Sequence, residues 1–84
     1  MILQIVCMRD IVANVYAQPQ FCPNLGSAIR AFGDQCRNKE PNNIMGQHPE
    51  DFELYHLGEY DDSNAEFKTD HAPRQIAVGA NYKG

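Results

Sequence analysis

Apolar residues fill most of positions 2 to 8, in a run that is rich in β-branched side chains and too short for a lone helix. In an extended strand, odd-numbered and even-numbered side chains point to opposite sides. Both sides of this strand are mostly apolar, and Gln4 is the exception. We therefore predict a strand at residues 1–8 that lies in the middle of its sheet.

A helical pattern replaces this run at residues 24–38. Apolar residues at positions 25, 28, 29, 32 and 36 form a single stripe along one side of a helix. Asn24 is a good N-cap, because its side chain can accept from the first unpaired backbone amides. Gly26 and Gly33 each weaken the helix by about 1 kcal/mol relative to Ala, and they would permit close approach to the sheet. We predict one amphipathic helix over residues 24–38.

Strict alternation begins at Phe52 and predicts a hairpin over residues 52–68. Phe52, Leu54 and Tyr60 fall on one side of the first strand, and Gly58 interrupts the alternation as a bulge would. The four-residue link at 61–64 suits a turn, and the chain returns through Phe67.

The remaining segments carry weaker patterns. Residues 11–17 fit a helical turn or a strand equally well, and Pro19 and Pro23 bracket an extended, peripheral piece. Residues 75–78 fit a short edge strand or a turn of helix, and residues 79–84 are expected to fray. Taken together, the predicted strands and helix indicate one α+β domain over residues 1–84. Its sheet has three to four mostly antiparallel strands, with one amphipathic helix packed on a face.

The length of 84 residues favours association with another chain. A chain this short buries only about 60 to 65% of the surface that its unfolded form exposes, so we expect a homo-oligomer. Its composition, 43% apolar and 21% charged, is that of a globular protein. No apolar run approaches the roughly 18 residues that cross a bilayer, and the first residues lack the features of a signal peptide. We therefore expect an intracellular protein without a membrane partner.

Cysteine and histidine give no pattern of a catalytic or metal site. Cys7, Cys22 and Cys36 are odd in number and widely spaced, so we interpret them as reduced thiols. His48 and His56 lack a partnered nucleophile in the sequence and fit a turn and a packed strand position. We predict no enzyme activity, no metal and no cofactor.

The formal net charge is −4, with seven basic and eleven acidic residues, which weighs against strong DNA binding by a single copy. Nine of the acidic residues fall between positions 40 and 70. Within them, Glu59, Asp61 and Asp62 form an acidic hairpin that could bind a basic protein, although an ordinary solvated turn has the same composition.

The basic residues suggest a different site. Arg30 and Arg37 are seven positions apart on the predicted helix and so share a face, and Lys39 follows closely. With Phe21, or with Tyr16 or Tyr82, near them in space, they could form a small platform for single-stranded nucleic acid. The alternative is a solvated helix face.

Two blocks of sequence, PQFCPNLGSAIRAF at residues 19–32 and HPEDFELYHLGEYDD at residues 48–62, resemble the small non-structural protein of gokushovirus-type microviruses, the phage ORF5 family. The resemblance implies a bacteriophage protein of the host cell cytoplasm with a part in replication or packaging of a single-stranded DNA genome. It supplies no catalytic residue. Arg30 is the one Lys or Arg inside a matched block, so it is the first candidate for a phosphate contact.

Two hypotheses therefore stand side by side. In the first, the chain is a non-enzymatic phage accessory protein that binds single-stranded DNA as an oligomer. In the second, it is a protein-interaction module whose acidic hairpin binds a basic host or phage protein.

Overall fold

In the computed structural model, which describes residues 1–69 and 71–83, six strands form one sheet. Its two long strands, β1 (Ile2–Asp10) and β4 (Phe52–Asp61), pair antiparallel along their whole length. Other strands pair with the outer edge of each long strand, so β1 has neighbours on both edges. The predicted central position of this strand is confirmed.

Each long strand carries two short antiparallel strands on its outer edge. Those on β1 are β2 (Val15–Tyr16) and β3 (Gln20–Cys22), and those on β4 are β5 (Glu66–Lys68) and β6 (Arg74–Val78). The predicted antiparallel pairing is confirmed, but the predicted number of three to four strands is wrong. Pro19 and Pro73 lie just before β3 and β6, and because proline has no ladder donor, each edge is broken into two short strands.

The main helix, α1 (Leu25–Arg37), lies on one face of the sheet. Asn24 caps it, since its Oδ1 accepts from the Ser27 backbone amide at 2.7 Å. Val6 and Leu54 of the long strands meet Phe32 of α1 in the core. The predicted α+β class, with an amphipathic helix on a sheet, is confirmed.

Short helical segments complete this covered side. A single-turn helix, α2 (Ile44–Gln47), places Met45 in the core, and a 3₁₀ turn follows at Pro49–Asp51. Residues 79–84 were expected to fray; instead Gly79–Tyr82 forms a second 3₁₀ turn, whose Tyr82 ring packs edge-on against Phe32 at 6.1 Å. Gly84 lies outside the described residues.

Gly33 permits the close approach of this second turn. A Cβ at Gly33 would lie 2.7 Å from the Tyr82 ring, so a larger residue would displace it. The close approach expected from this glycine is therefore made by the C-terminal turn and not by the sheet.

No helix within the described residues covers the opposite face of the sheet, because α1, α2 and the Tyr82 turn all pack around the same core. We call this side, onto which Leu3, Ile5, Cys7 and Arg9 of β1 project, the open face.

A bulge in β4 decides which of its side chains reach the open face. Val6 pairs with His56 but Ile5 pairs with Gly58, so Leu57 is an extra residue. Beyond it, the alternation is reversed, and Tyr60, paired with Leu3, points to the open face. The bulge expected near Gly58 is present, but the expectation that Tyr60 shares a side with Phe52 and Leu54 is wrong, because the extra residue reverses the side of every residue after it.

Candidate nucleic-acid interface

The sequence-predicted nucleic-acid residues lie on two sides of the sheet. Arg30, Arg37 and Lys39 belong to α1 and the loop after it, on the covered side, whereas Phe21 of β3 pairs with Ile5 and so points to the open face. The structure therefore does not bring Phe21 together with the three basic residues.

Two of the basic side chains already have partners in the fold. Lys39 Nζ donates to the Gly46 carbonyl at 2.8 Å and to the Cys36 carbonyl at 3.5 Å, so it ties the end of α1 to α2. The Arg37 guanidinium lies over the Tyr82 ring, 4.7 Å from its centroid. Arg37 therefore has an aromatic neighbour, as the sequence suggested, although it is a ring of the covered side.

Arg30 lies on the exposed side of α1, beside a shallow surface depression that Asn24, Gly26 and Asp34 also line. Arg30, like Arg37 and Lys39, is exposed and so accessible to a phosphate group. Asp34 in the same depression lowers the net positive charge there.

Phe21 belongs to a group of three rings on the open face. Its centroid lies 5.5 Å from that of Tyr60 and 6.3 Å from that of Phe67, and the Tyr60 and Phe67 centroids are 4.8 Å apart. Such distances are those of interacting aromatic pairs. We call Phe21, Tyr60 and Phe67 the aromatic cluster.

Two of the three rings are exposed, and Tyr60 is half-buried between them and the sheet. The residue Phe67 is 61% accessible to solvent and Phe21 is 48% accessible. Three strands contribute one ring each. Because β3 and β4 both pair with β1, and β5 pairs with β4, the backbone pairing fixes the spacing of the rings. No local pattern in the sequence indicates this cluster, because Phe21 is distant from Phe67 along the chain and the bulge is what turns Tyr60 to the open face.

A second group of aromatic residues lies at the other end of the open face. The Tyr16 and Tyr55 rings meet edge to face at 5.4 Å, and the Arg9 guanidinium lies 5.7 Å from the Tyr16 centroid. Glu53 accepts from the Tyr55 hydroxyl at 2.8 Å, and this hydrogen bond is the main reason why the pKa of Tyr55 is raised. Arg9 Nη1 lies 3.7 Å from the same carboxylate, so the two charges are paired.

The acidic hairpin points away from the aromatic cluster. Glu59 pairs with Gln4 and accepts from its side-chain amide at 3.3 Å, on the covered side. Asp61 Oδ1 accepts from the Ser63 hydroxyl at 2.6 Å and from its backbone amide at 3.0 Å. These two bonds, the hydroxyl first, lower the pKa of Asp61. Asp62 lies in the turn, 2.8 Å from the Met1 backbone nitrogen.

Titratable clusters are sparse elsewhere. Within residues 1–69 and 71–83, no three His, Cys, Asp or Glu side chains converge in a way that could hold a metal ion. The three cysteines are free thiols, and burial raises the pKa of each. His56 Nε2 lies 2.8 Å from Gln4 Oε1, and its ring is 5.2 Å from that of His71.

The fold and these surfaces define a small α+β protein with one covered and one uncovered sheet face. Residues 3–82 match the family model described as Phage ORF5 protein, so the chain belongs to this family and is a bacteriophage protein. No curated protein and no solved structure gives a significant match. In the part of the chain that the structure describes, no helix has the length and apolar character to span a bilayer.

Proposed function

We propose that this protein is a non-enzymatic accessory factor of a gokushovirus-type microvirus, which assists replication or packaging of the single-stranded DNA genome in the host cytoplasm by binding that DNA. The observation that carries the proposal is the exposed aromatic cluster on the open face. Bases stack on such rings at about 1–3 kcal/mol each, whatever their sequence, and sheets that present aromatic side chains are an established platform for single strands.

The distribution of charge on the sheet supports the open face as the site. The charged side chains that its strands direct there are Arg9 and Glu53, which neutralise each other. Glu59, Asp61 and Glu66 project to the other side, because their strand partners are the even-numbered residues of β1 or one another. DNA on the aromatic cluster would therefore avoid much of the acidic charge of the protein.

Arg30 keeps its proposed role as a phosphate contact, but on the opposite side of the sheet. A strand that touches both Phe67 and Arg30 would pass around the edge of one copy or run between two copies. Several copies on one strand would supply both kinds of contact at high effective concentration.

The direct test is fluorescence anisotropy of a labelled single-stranded oligonucleotide at low salt. We expect the wild-type protein to bind and Phe67→Ala to bind about 5- to 150-fold more weakly, which corresponds to the roughly 1–3 kcal/mol of one stacked base. Ile44→Ala is the matched control, since Ile44 is equally exposed at 63% but lies in α2 on the covered side. Absence of wild-type binding would refute the proposal, and equal losses in both variants would refute the aromatic site.

A salt titration separates stacking from phosphate contact. Each phosphate neutralised on a single strand contributes about −0.7 to the slope of log affinity against log salt. We expect Arg30→Ala to flatten the slope by about that amount and Phe67→Ala to leave it unchanged. The reverse pattern would mean that the contacts are wrongly assigned.

The protein-interaction alternative has less support from the geometry. Glu59 and Asp61 each accept hydrogen bonds from other residues of the fold, and a partner would have to compete with these. A pull-down with charge reversal at Asp61 and Asp62 tests it, since loss of a bound basic protein would favour this alternative.

A further inference from the structure

A stretch of the chain without charged residues forms one edge of the sheet. Residues 11–29 contain no Asp, Glu, Lys, Arg or His, although Asp, Glu, Lys and Arg make up 21% of the whole chain. This stretch runs through the turn after β1, through β2 and β3, and into the first turns of α1. It therefore supplies the whole outer edge beside β1, which we call the uncharged edge.

Exposed sheet edges normally carry charges that prevent pairing with other chains. On the opposite edge of this sheet, β5 and β6 include Glu66, Lys68 and Arg74. On the uncharged edge, β2 and β3 contain no charged residue, and the edge is protected by the shortness of these strands and by the prolines at positions 19 and 23 on either side of β3. The edge beside β1 is depleted in charged residues, as the centre of a protein interface is. The edge beside β4 carries charges, as an ordinary solvated surface does.

The turn after β1 is an apolar projection held in a fixed shape. The Ala13 amide donates to Asp10 Oδ1 at 3.0 Å, and Arg9 Nη2 donates to Asn14 Oδ1 at 2.8 Å. Val12 and Val15 are nevertheless 75% and 54% accessible. A rigid apolar projection loses little conformational entropy when it is buried by a partner.

An apolar groove lies on the same edge, between α1 and β3. It has a volume of about 690 Å³ and is open to solvent. Its walls include Met8, Ala31, Phe32 and Met45, and none of its lining residues is charged. The groove is of the size that accepts apolar groups, and the projection supplies such groups on the same chain.

We infer that the uncharged edge binds a second copy of this chain, with Val12 and Val15 of each copy seated in the groove of the other. The contact is reciprocal, as in a two-fold symmetric dimer. Two copies that each carry a net charge of −4 repel each other, and the uncharged edge reduces this repulsion because the charges beside its turn are one Arg9 and one Asp10, of opposite sign.

A stable interface takes about 800 Å² from each partner, which is about 15% of the accessible surface of 5366 Å². The uncharged edge contains 19 of the 84 residues, and most of them are exposed and available for such a contact.

The test is the molar mass of the purified protein by sedimentation equilibrium without DNA. We expect a dimer for the wild type. The dissociation constant of the dimer should be at least about tenfold higher for Val12→Asp and for Ala31→Glu, because each substitution buries an unpaired carboxylate in the contact. Both positions are exposed in the single copy, so the fold should persist, and circular dichroism checks this. Ile44→Asp is the matched control and should remain dimeric.

A covalent test locates the contact. Cys22 lines the groove, so Val12→Cys should form a disulfide-linked dimer by exchange with oxidised glutathione, and adding Cys22→Ser should abolish it. A monomeric wild type would overturn the inference and leave the groove to another partner. A wild-type dimer that both charge variants leave intact would overturn it as well. Because no DNA is present, this result is independent of the proposed DNA binding.

Discussion

The covered face and the open face bury the central strand to the same extent by different means. Val6 on the covered side is 4% accessible beneath α1. Ile5 and Cys7 on the open side are 4% and 3% accessible, although no helix of residues 1–69 and 71–83 lies over them. On the open side the shielding comes from rings of the sheet itself, such as Phe21, the strand partner of Ile5. The covered face is therefore a closed core. On the open face, the aromatic rings both shield β1 and remain accessible to other molecules.

The largest expected effect separates these two roles. Phe32→Ala removes a buried ring between α1 and the sheet, and we expect it to lower the free energy of unfolding by about 3–5 kcal/mol. Phe67→Ala removes an exposed ring and should cost less than about 1 kcal/mol. Urea denaturation of the two variants measures the difference, and similar losses would mean that the open face is also a core.

Gly58→Ala tests the bulge that turns Tyr60 to the open face. A Cβ at Gly58 would lie 2.1 Å from the Lys68 carbonyl oxygen, so the start of the β4–β5 hairpin must shift. We expect a loss of about 1–3 kcal/mol in stability and weaker binding of single-stranded DNA, because Tyr60 and Phe67 move apart.

Gly26→Ala is the control for this substitution, because its Cβ would meet only Asn24 Oδ1, at 3.4 Å. It should be neutral or stabilise the helix by up to about 1 kcal/mol. A Gly58→Ala variant that behaves like Gly26→Ala would contradict the role of the bulge.

A smaller effect, confined to the covered side, is expected from the helix cap. Asn24→Ala removes the acceptor of the Ser27 amide and should cost about 1 kcal/mol in thermal unfolding, whereas Asn24→Ser should keep most of the stability. The loss of DNA affinity caused by Phe67→Ala should be the same in either variant as in the wild type, since the aromatic cluster lies on the other side of the sheet from α1. A smaller effect of Phe67→Ala in the Asn24→Ala background would show that the two faces are coupled.

The smallest effect is the pH response of the hairpin turn. The Ser63 hydroxyl and amide hold the pKa of Asp61 below its ordinary value, so their contribution is complete above that value. It is lost as the pH falls through the lowered pKa of the folded state. A carboxyl titration by NMR should show this, and Ser63→Ala should return the pKa of Asp61 towards the ordinary value. An unchanged pKa in that variant would contradict the assignment.

The sequence predicts the covered face better than the open one, for a physical reason. The stripe of α1 and the Asn24 cap are local signals, readable within a few turns of helix. The aromatic cluster depends on how β3 and the β4–β5 hairpin are each placed against β1, and these elements lie far apart in the chain. Gly58 announces a bulge, but alternation alone cannot tell whether the extra residue reverses the side of Tyr60.

One signal of the open face was nevertheless present in the sequence. Both sides of β1 are apolar, and only one helix with an apolar stripe exists to cover them. One helix covers one side, so the other must be shielded by its own side chains or by another molecule. Phe21 was predicted as a site residue, but its partners Tyr60 and Phe67 were not, and the DNA role of all three stays a prediction.

The ladder between β1 and β4 also bears on how the chain reaches this state. Even the pair of this ladder with the smallest sequence separation, Asp10 with Phe52, is about 40 residues apart along the chain. Closing so long a loop precedes any gain from the contacts, which makes topologies of this kind slow to fold. During translation the first strand leaves the ribosome long before its main partner is made, and its two apolar sides remain exposed to other nascent chains until then.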